Sequence, residues 1–170
     1  MKAIKIIIWL IIGFGLGISF FPLKYWIEYR NFERGVSSCD TLPKEELIPL
    51  VKQGDINAYD ELRIYFSCKE NPEELLPYAL LMANKYNDTR AYFDVYYCFW
   101  YMFPETTDNL CLLDSLDSTT KNIALEYLQK GAELGEINSQ QHLGSYYFEG
   151  KYFEKDTVLG KKLIDRSWGK

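Results

Sequence analysis

One pattern occurs twice in this chain, as Val51-Lys-Gln-Gly54-Asp-Ile-Asn-Ala58 and as Ala132-Glu-Leu-Gly135-Glu-Ile-Asn-Ser139. In each copy a glycine follows the first residue by three positions and a small residue follows it by seven. A leucine, Leu62 or Leu143, follows it by eleven. Glycine can take the left-handed backbone conformation that ends a helix, and a small residue lets the next helix approach closely. The pattern therefore predicts two pairs of helices, each joined at a glycine.

Two further offsets extend this repeat. A weaker copy follows the first one by 33 residues and consists of Ala91, Val95, Cys98 and Phe99. Near the end of the chain, a second offset of 36 residues relates Ala124, Tyr127, Leu128 and Gly131 to Gly160, Leu163, Ile164 and Ser167. Periods of this size are typical of solenoids built from helix pairs.

The clearest repeat reads Ala124-Leu-Glu-Tyr-Leu-Gln-Lys-Gly-Ala132-Glu-Leu-Gly135, followed by Leu143-Gly144, Tyr147, Gly150, Asp156 and Gly160. Over residues 121–168 this sequence resembles the Sel-one-like repeat, a short relative of the tetratricopeptide repeat. Over residues 44–103 the chain departs from that repeat, since Arg63 and Tyr96 replace the second-helix glycine seen as Gly144. The resemblance implies an all-α fold: a short right-handed solenoid of antiparallel helix pairs.

The apolar spacing and the helix-start residues predict individual helices. Pro43 and Pro72 are typical of helix starts, while Asp88, and Asp117 or Ser118, are typical of caps. Residues 104–117 carry the composition of a loop, and the last helix has the polar outer face of a terminal cap. The predicted helices cover residues 44–53, 57–68, 73–86, 88–103, 118–134, 137–149 and 156–168.

An apolar segment precedes these helices. Residues 6–23 contain 18 consecutive uncharged positions, which as a helix would cover ~27 Å, close to the ~30 Å hydrocarbon core of a bilayer. This run predicts a signal peptide or a single transmembrane helix. The second is favoured because apolar residues continue past the small ones and an aromatic belt, Tyr25, Trp26 and Tyr29, follows. Residues 1–35 are thus predicted to be a signal anchor with its juxtamembrane segment, and residues 36–170 a helical-repeat domain.

The chain order and the cysteine content both favour a location of the domain outside the cytoplasm. A short amino end followed by a long domain usually places that domain outside the cytoplasm, which predicts a single-pass inner-membrane protein with a periplasmic domain. Cys39, Cys68, Cys98 and Cys111 form an even set without C-x-x-C spacing. In an oxidising compartment they allow two disulfides in three pairings. The alternative is four buried free thiols.

The charge distribution narrows the class of partner. Residues 1–35 hold five Lys/Arg and two Asp/Glu, whereas residues 36–120 hold six and fifteen. A soluble part this acidic repels phosphate backbones, which argues against nucleic acid as a partner and favours a basic protein. The alternative is that the acidic residues simply keep the domain soluble.

The sequence offers no recognisable catalytic or metal-binding motif. Its one histidine, His142, is predicted to be a polar edge residue of a repeat helix, and the cysteines lack a zinc-site spacing. Neither a G-x-S-x-G motif nor a phosphate-binding loop is present. We therefore expect a protein that is not an enzyme and that needs no metal or cofactor.

Aromatic residues mark the predicted binding surface. Residues 92–103 contain eight aromatic side chains in twelve positions, and a helix of a two-layer solenoid buries one stripe of its surface. Some rings are therefore expected to be exposed as binding anchors. The alternative is that the following loop and the neighbouring helices bury them all. The predicted protein-binding residues are Tyr92, Tyr96, Tyr97, Trp100 and Tyr101.

The family resemblance suggests what such a surface could do. Sel-one-like proteins generally serve as adaptors, and some small, envelope-exposed examples are immunity proteins that neutralise antibacterial toxins, including lipase effectors of type VI secretion. The expectation is therefore a non-catalytic protein-binding module. Two alternatives remain open: an adaptor or regulatory subunit of a membrane complex, and a hydrolase that uses the solenoid groove.

Overall fold

A computed structural model describes residues 41–69, 71–101 and 112–169, and within these ranges every regular element is a helix. The α-helices are α1 (Lys44–Lys52), α2 (Ile56–Cys68), α3 (Leu76–Tyr86), α4 (Thr89–Tyr101), α5 (Ser118–Glu133), α6 (Ile137–Glu149) and α7 (Thr157–Ser167), with short 3-10 helices at Pro72–Leu75 and Leu112–Ser115. The all-α prediction is confirmed. The predicted helix bounds agree to within one or two residues, except that the segment over 73–86 divides into a 3-10 turn and α3. Positions 102 and 103 of the fourth predicted helix lie outside the described residues.

The two glycine joints have the same backbone structure. Gly54 and Gly135 have φ angles of 89° and 88°, in the left-handed region. The next residue of each joint caps the following helix, since the Asp55 carboxylate accepts from two backbone N–H groups and the Glu136 carboxylate does the same. The sequence pattern therefore identified both turns correctly.

The weaker middle copy makes an equivalent turn without glycine. Asn87, which follows Gly54 by 33 residues, ends α3 with φ 54°. Asparagine is one of the few other residues that adopt this left-handed conformation readily. Asp88 then accepts a hydrogen bond of 3.0 Å from the backbone N–H of Arg90, as a helix cap does. This places the middle copy in the register of the first one.

The helices pack mainly against their neighbours in chain order. The contacting pairs include α1 with α2, α3 with α4, α4 with α5, α5 with α6, and α6 with α7. Contacts also join α1 to α3 and α4 to α6, whereas α2 reaches the 3-10 turn at Pro72–Leu75. One cluster of buried side chains includes Val95 and the other includes Tyr96. Helix α4 therefore contributes to both parts of the core.

Two glycines allow α6 and α7 to cross closely. A Cβ atom added at Gly144 would lie 2.9 Å from the carbonyl oxygen of Gly160, and one added at Gly160 would lie 2.7 Å from that of Gly144. Real Cβ atoms essentially never approach a neighbour so closely. Gly144 and Gly160 are therefore required by the packing of the two helix backbones.

No helix in the part of the chain that the structure describes combines the length and the apolar character needed to cross a membrane. The predicted anchor over residues 6–23, and the boundary after residue 35, lie outside the described residues.

We predict that Gly160→Val destabilises the fold by about 2 kcal/mol or more, because its side chain would meet backbone atoms of α6 that cannot relax easily. Chemical unfolding followed by circular dichroism would measure this loss. Ser145→Ala on the exposed face of α6 is the matched control and should leave stability nearly unchanged. Equal stability of the two variants would contradict the close crossing.

Candidate functional site

The structure separates the five predicted binding residues into two groups. Tyr92 and Tyr96 are buried, with 7% and 0% of their surface exposed, because both faces of α4 pack against other helices. Tyr97 and Trp100 are half-buried, and Tyr101 is 39% exposed. The prediction that Tyr92 and Tyr96 offer a surface to a partner is therefore corrected: both rings belong to the core.

A cavity of about 320 Å³ opens between α2 and α4. One wall is a stripe of rings four positions apart on α4, Phe93, Tyr97 and Tyr101, whose neighbouring centroids are 6.0 and 5.9 Å apart. Helix α2 also contributes Phe66 and Ser67 to the lining, and the 3-10 helix at Pro72–Leu75 contributes Pro72 and Leu75. We call this space the aromatic cavity.

An ion pair lies at the polar side of the aromatic cavity. Asp94 is 5% exposed, and its carboxylate accepts hydrogen bonds from Tyr59 Oη at 2.8 Å and from Arg63 Nη2 at 2.9 Å. Arg63 Nε lies 2.7 Å from the same carboxylate. Burial raises the pKa of Asp94, against the Arg63 charge and the two hydrogen bonds, which lower it. The network joins α2 to α4 through side chains that are 31 and 35 positions apart.

Arginine stands in α2 where the repeated sequence pattern has glycine in α6, since Arg63 and Gly144 each follow the leucine of their copy. At Gly144 the absence of a side chain lets α7 approach the backbone of α6. At Arg63 a long side chain extends to Asp94, and α2 contacts the 3-10 helix at Pro72–Leu75. Arg63 is one of the residues that line the aromatic cavity.

His142 is half-buried and lies among aromatic side chains, neighbours that the prediction of a polar edge residue did not include. Its ring centroid is 5.2 Å from that of Phe93 and 5.6 Å from that of Tyr96, and its Nδ1 lies 3.3 Å from Tyr96 Oη. Tyr96 Oη in turn lies 2.7 Å from Tyr146 Oη. Burial lowers the pKa of His142, although the Glu136 charge raises it. Sequence reasoning missed this cluster because its members come from α4 and α6.

The described cysteines have different states. Cys98 is a buried free thiol that donates to the carbonyl oxygen of Pro72 at 3.1 Å, and burial raises its pKa to about 12. Cys68 is disulfide-bonded. The expectation of two disulfides is therefore wrong for Cys98, and that of four free thiols is wrong for Cys68. Cys39 and Cys111 lie outside the described residues.

Comparisons of the chain with protein-family models, with curated proteins and with solved structures found no match. The Sel-one-like family therefore stays a prediction from the sequence.

We predict that Asp94→Ala destabilises the protein by about 3 kcal/mol or more, because it leaves the Arg63 charge and the Tyr59 hydroxyl without their buried acceptor. Asp114→Ala, which removes partly exposed ion pairs to Lys121 and Lys151, should cost at most about 1 kcal/mol. Urea unfolding of both variants measures the difference. Similar losses in the two would mean that the Asp94 network contributes no more than a surface pair.

We also predict a pH dependence that is specific to His142. Because its pKa is lowered on folding, the unfolded chain binds a proton more readily near the ordinary value of about 6.5. Stability should therefore fall as pH decreases through that value. The free energy of unfolding of the wild type minus that of His142→Gln should decrease between about pH 7.5 and pH 5.5. A difference that is constant with pH would contradict this.

Proposed function

We propose that this protein is a non-catalytic protein-binding module, and that the aromatic cavity holds a side chain of its partner. The observation that carries the proposal is a row of partly exposed rings, Tyr97 and Tyr101, beside a cavity whose two charged groups, Arg63 and Asp94, are paired with each other. Aromatic side chains at the border of a preformed cavity are typical anchors of protein interfaces.

The proposed scaffold is a short right-handed solenoid of antiparallel helix pairs. Chain-order packing supports it, as do the equivalent turns at Gly54, Asn87 and Gly135. Gly144 and Gly160, which belong to the sequence pattern that resembles the Sel-one-like repeat, are the residues at which α6 and α7 cross closely. The handedness is taken from that resemblance.

We propose that the side chain bound in the cavity is basic. The faces of Tyr97 and Tyr101 can attract a lysine or arginine by cation–π interaction. Glu73 and Glu74 are exposed on the 3-10 turn next to Pro72, which lines the cavity. Residues 36–120, which hold fifteen acidic and six basic residues, would accelerate the encounter with a basic protein.

The biological role we propose is that of an immunity protein in a bacterial envelope. The predicted anchor over residues 6–23 would tether it to the inner membrane, and the disulfide at Cys68 favours an oxidising compartment such as the periplasm. The resemblance to Sel-one-like proteins supports neutralisation of an antibacterial toxin. An adaptor in a membrane complex is the alternative. A neighbouring toxin gene would support the immunity role, whereas neighbouring genes of a membrane complex would support the adaptor.

We predict that Tyr97→Ala/Tyr101→Ala lowers partner affinity at least tenfold, because it removes the rings that border the cavity. The matched control is Ile123→Ala, whose side chain is 38% exposed on α5, away from the cavity. Affinity capture from envelope fractions, using the full chain in detergent, should recover a protein with the wild type and the control but not with the double variant. Recovery of the same proteins by all three would contradict the proposed site.

A genetic experiment tests the immunity role separately. A strain that lacks the gene should be killed by sister cells that deliver the toxin, and the Ile123→Ala gene should restore resistance while the double variant does not. Full resistance of the deletion strain would refute the immunity role and leave the binding site to be judged by capture.

A further inference from the structure

The last two helices border a second open surface. Helix α6 packs against both α5 and α4, whereas the main contacts of α7 are with α6. On the outer side of α7 a groove of about 770 Å³ lies between α7 and the end of α6. We call it the terminal groove.

Two apolar side chains line the terminal groove. Phe148 of α6 is 51% exposed and Val158 of α7 is 78% exposed. Exposed apolar residues are common when scattered, but these two lie together on one surface. The sequence predicted only a polar outer face for this helix, so the apolar pair is a feature that the structure adds.

Basic side chains lie next to these two apolar residues. Lys161, Lys162 and Arg166 line the groove with one carboxylate, Asp165, and among the described residues none of the three cations forms an ion pair. Lys162 and Arg166 are four positions apart and lie on one face of α7, whereas Lys161 points about 100° away from Lys162. This local positive charge contrasts with the acidic region around the aromatic cavity.

We propose that the terminal groove binds an amphipathic helix of a partner protein, with apolar side chains against Phe148 and Val158 and acidic ones against Lys161, Lys162 and Arg166. Charge complementarity selects an acidic partner. A groove between two helices accepts a helix, as α6 lies against α4 and α5. An anionic lipid surface would also attract these lysines and is the competing occupant. This site is distinct from the aromatic cavity, and its charge preference is the opposite.

The test uses a phage-displayed library of amphipathic helices whose polar positions are randomised among Glu, Lys and Gln. The target is the full chain in phosphatidylcholine nanodiscs. Selection should enrich peptides with Glu on both sides of an apolar stripe. Lys161→Glu/Lys162→Glu should weaken their binding at least tenfold in fluorescence anisotropy, and Val158→Ser should weaken it as well. Lys52→Glu/Lys130→Glu, which reverses two exposed charges elsewhere, should bind like the wild type.

Several outcomes would overturn the proposal. The selection could enrich no peptide or could enrich Lys-rich peptides, and the enriched peptides could still bind the Lys161→Glu/Lys162→Glu variant. Binding of the chain to phosphatidylglycerol vesicles through Lys161 and Lys162, without binding of any peptide, would assign the groove to lipid. Tyr97→Ala/Tyr101→Ala should leave peptide binding unchanged, so failure here is distinguishable from failure at the aromatic cavity.

Discussion

The burial of α4 on both of its faces constrains the rest of this structure. Val95 belongs to one cluster of the core and its neighbour Tyr96 to the other. A helix packed in this way must place most of its large side chains in the interior, which accounts for the aromatic richness of its sequence. Among the rings of α4 that remain partly exposed, Phe93, Tyr97 and Tyr101 form a stripe, and the aromatic cavity lies along it.

Glycine and arginine at equivalent positions give the two ends of the domain different properties. Gly144 allows α7 to approach the backbone of α6, so the last helices pack closely. Arg63 instead extends to Asp94 and links α2 to α4 through a buried ion pair. Breaking such a pair is costly while its net stabilisation is small. We therefore regard it as a device that fixes the relative position of the two helices lining the cavity.

The two proposed surfaces differ in the kind of partner that they would recognise. The aromatic cavity lies in the acidic part of the chain, whereas three cations and one carboxylate line the terminal groove. A module with two such surfaces could hold a basic and an acidic protein at the same time, or two differently charged regions of one partner. Specificity would then arise from charge as much as from shape.

The sequence by itself determined the helices, their bounds and the turns at Gly54 and Gly135, because these depend on local apolar spacing and on backbone conformations that glycine favours. It also predicted the break between α3 and α4 through the Asp88 cap, but not that Asn87 takes the left-handed conformation there, because asparagine marks this conformation less strongly than glycine does. Only the tertiary structure decided that Tyr96 is buried while Tyr101 is exposed, and that Arg63 meets Asp94. Periodicity defines the faces of a helix, but which faces become covered depends on helices that are distant in the chain.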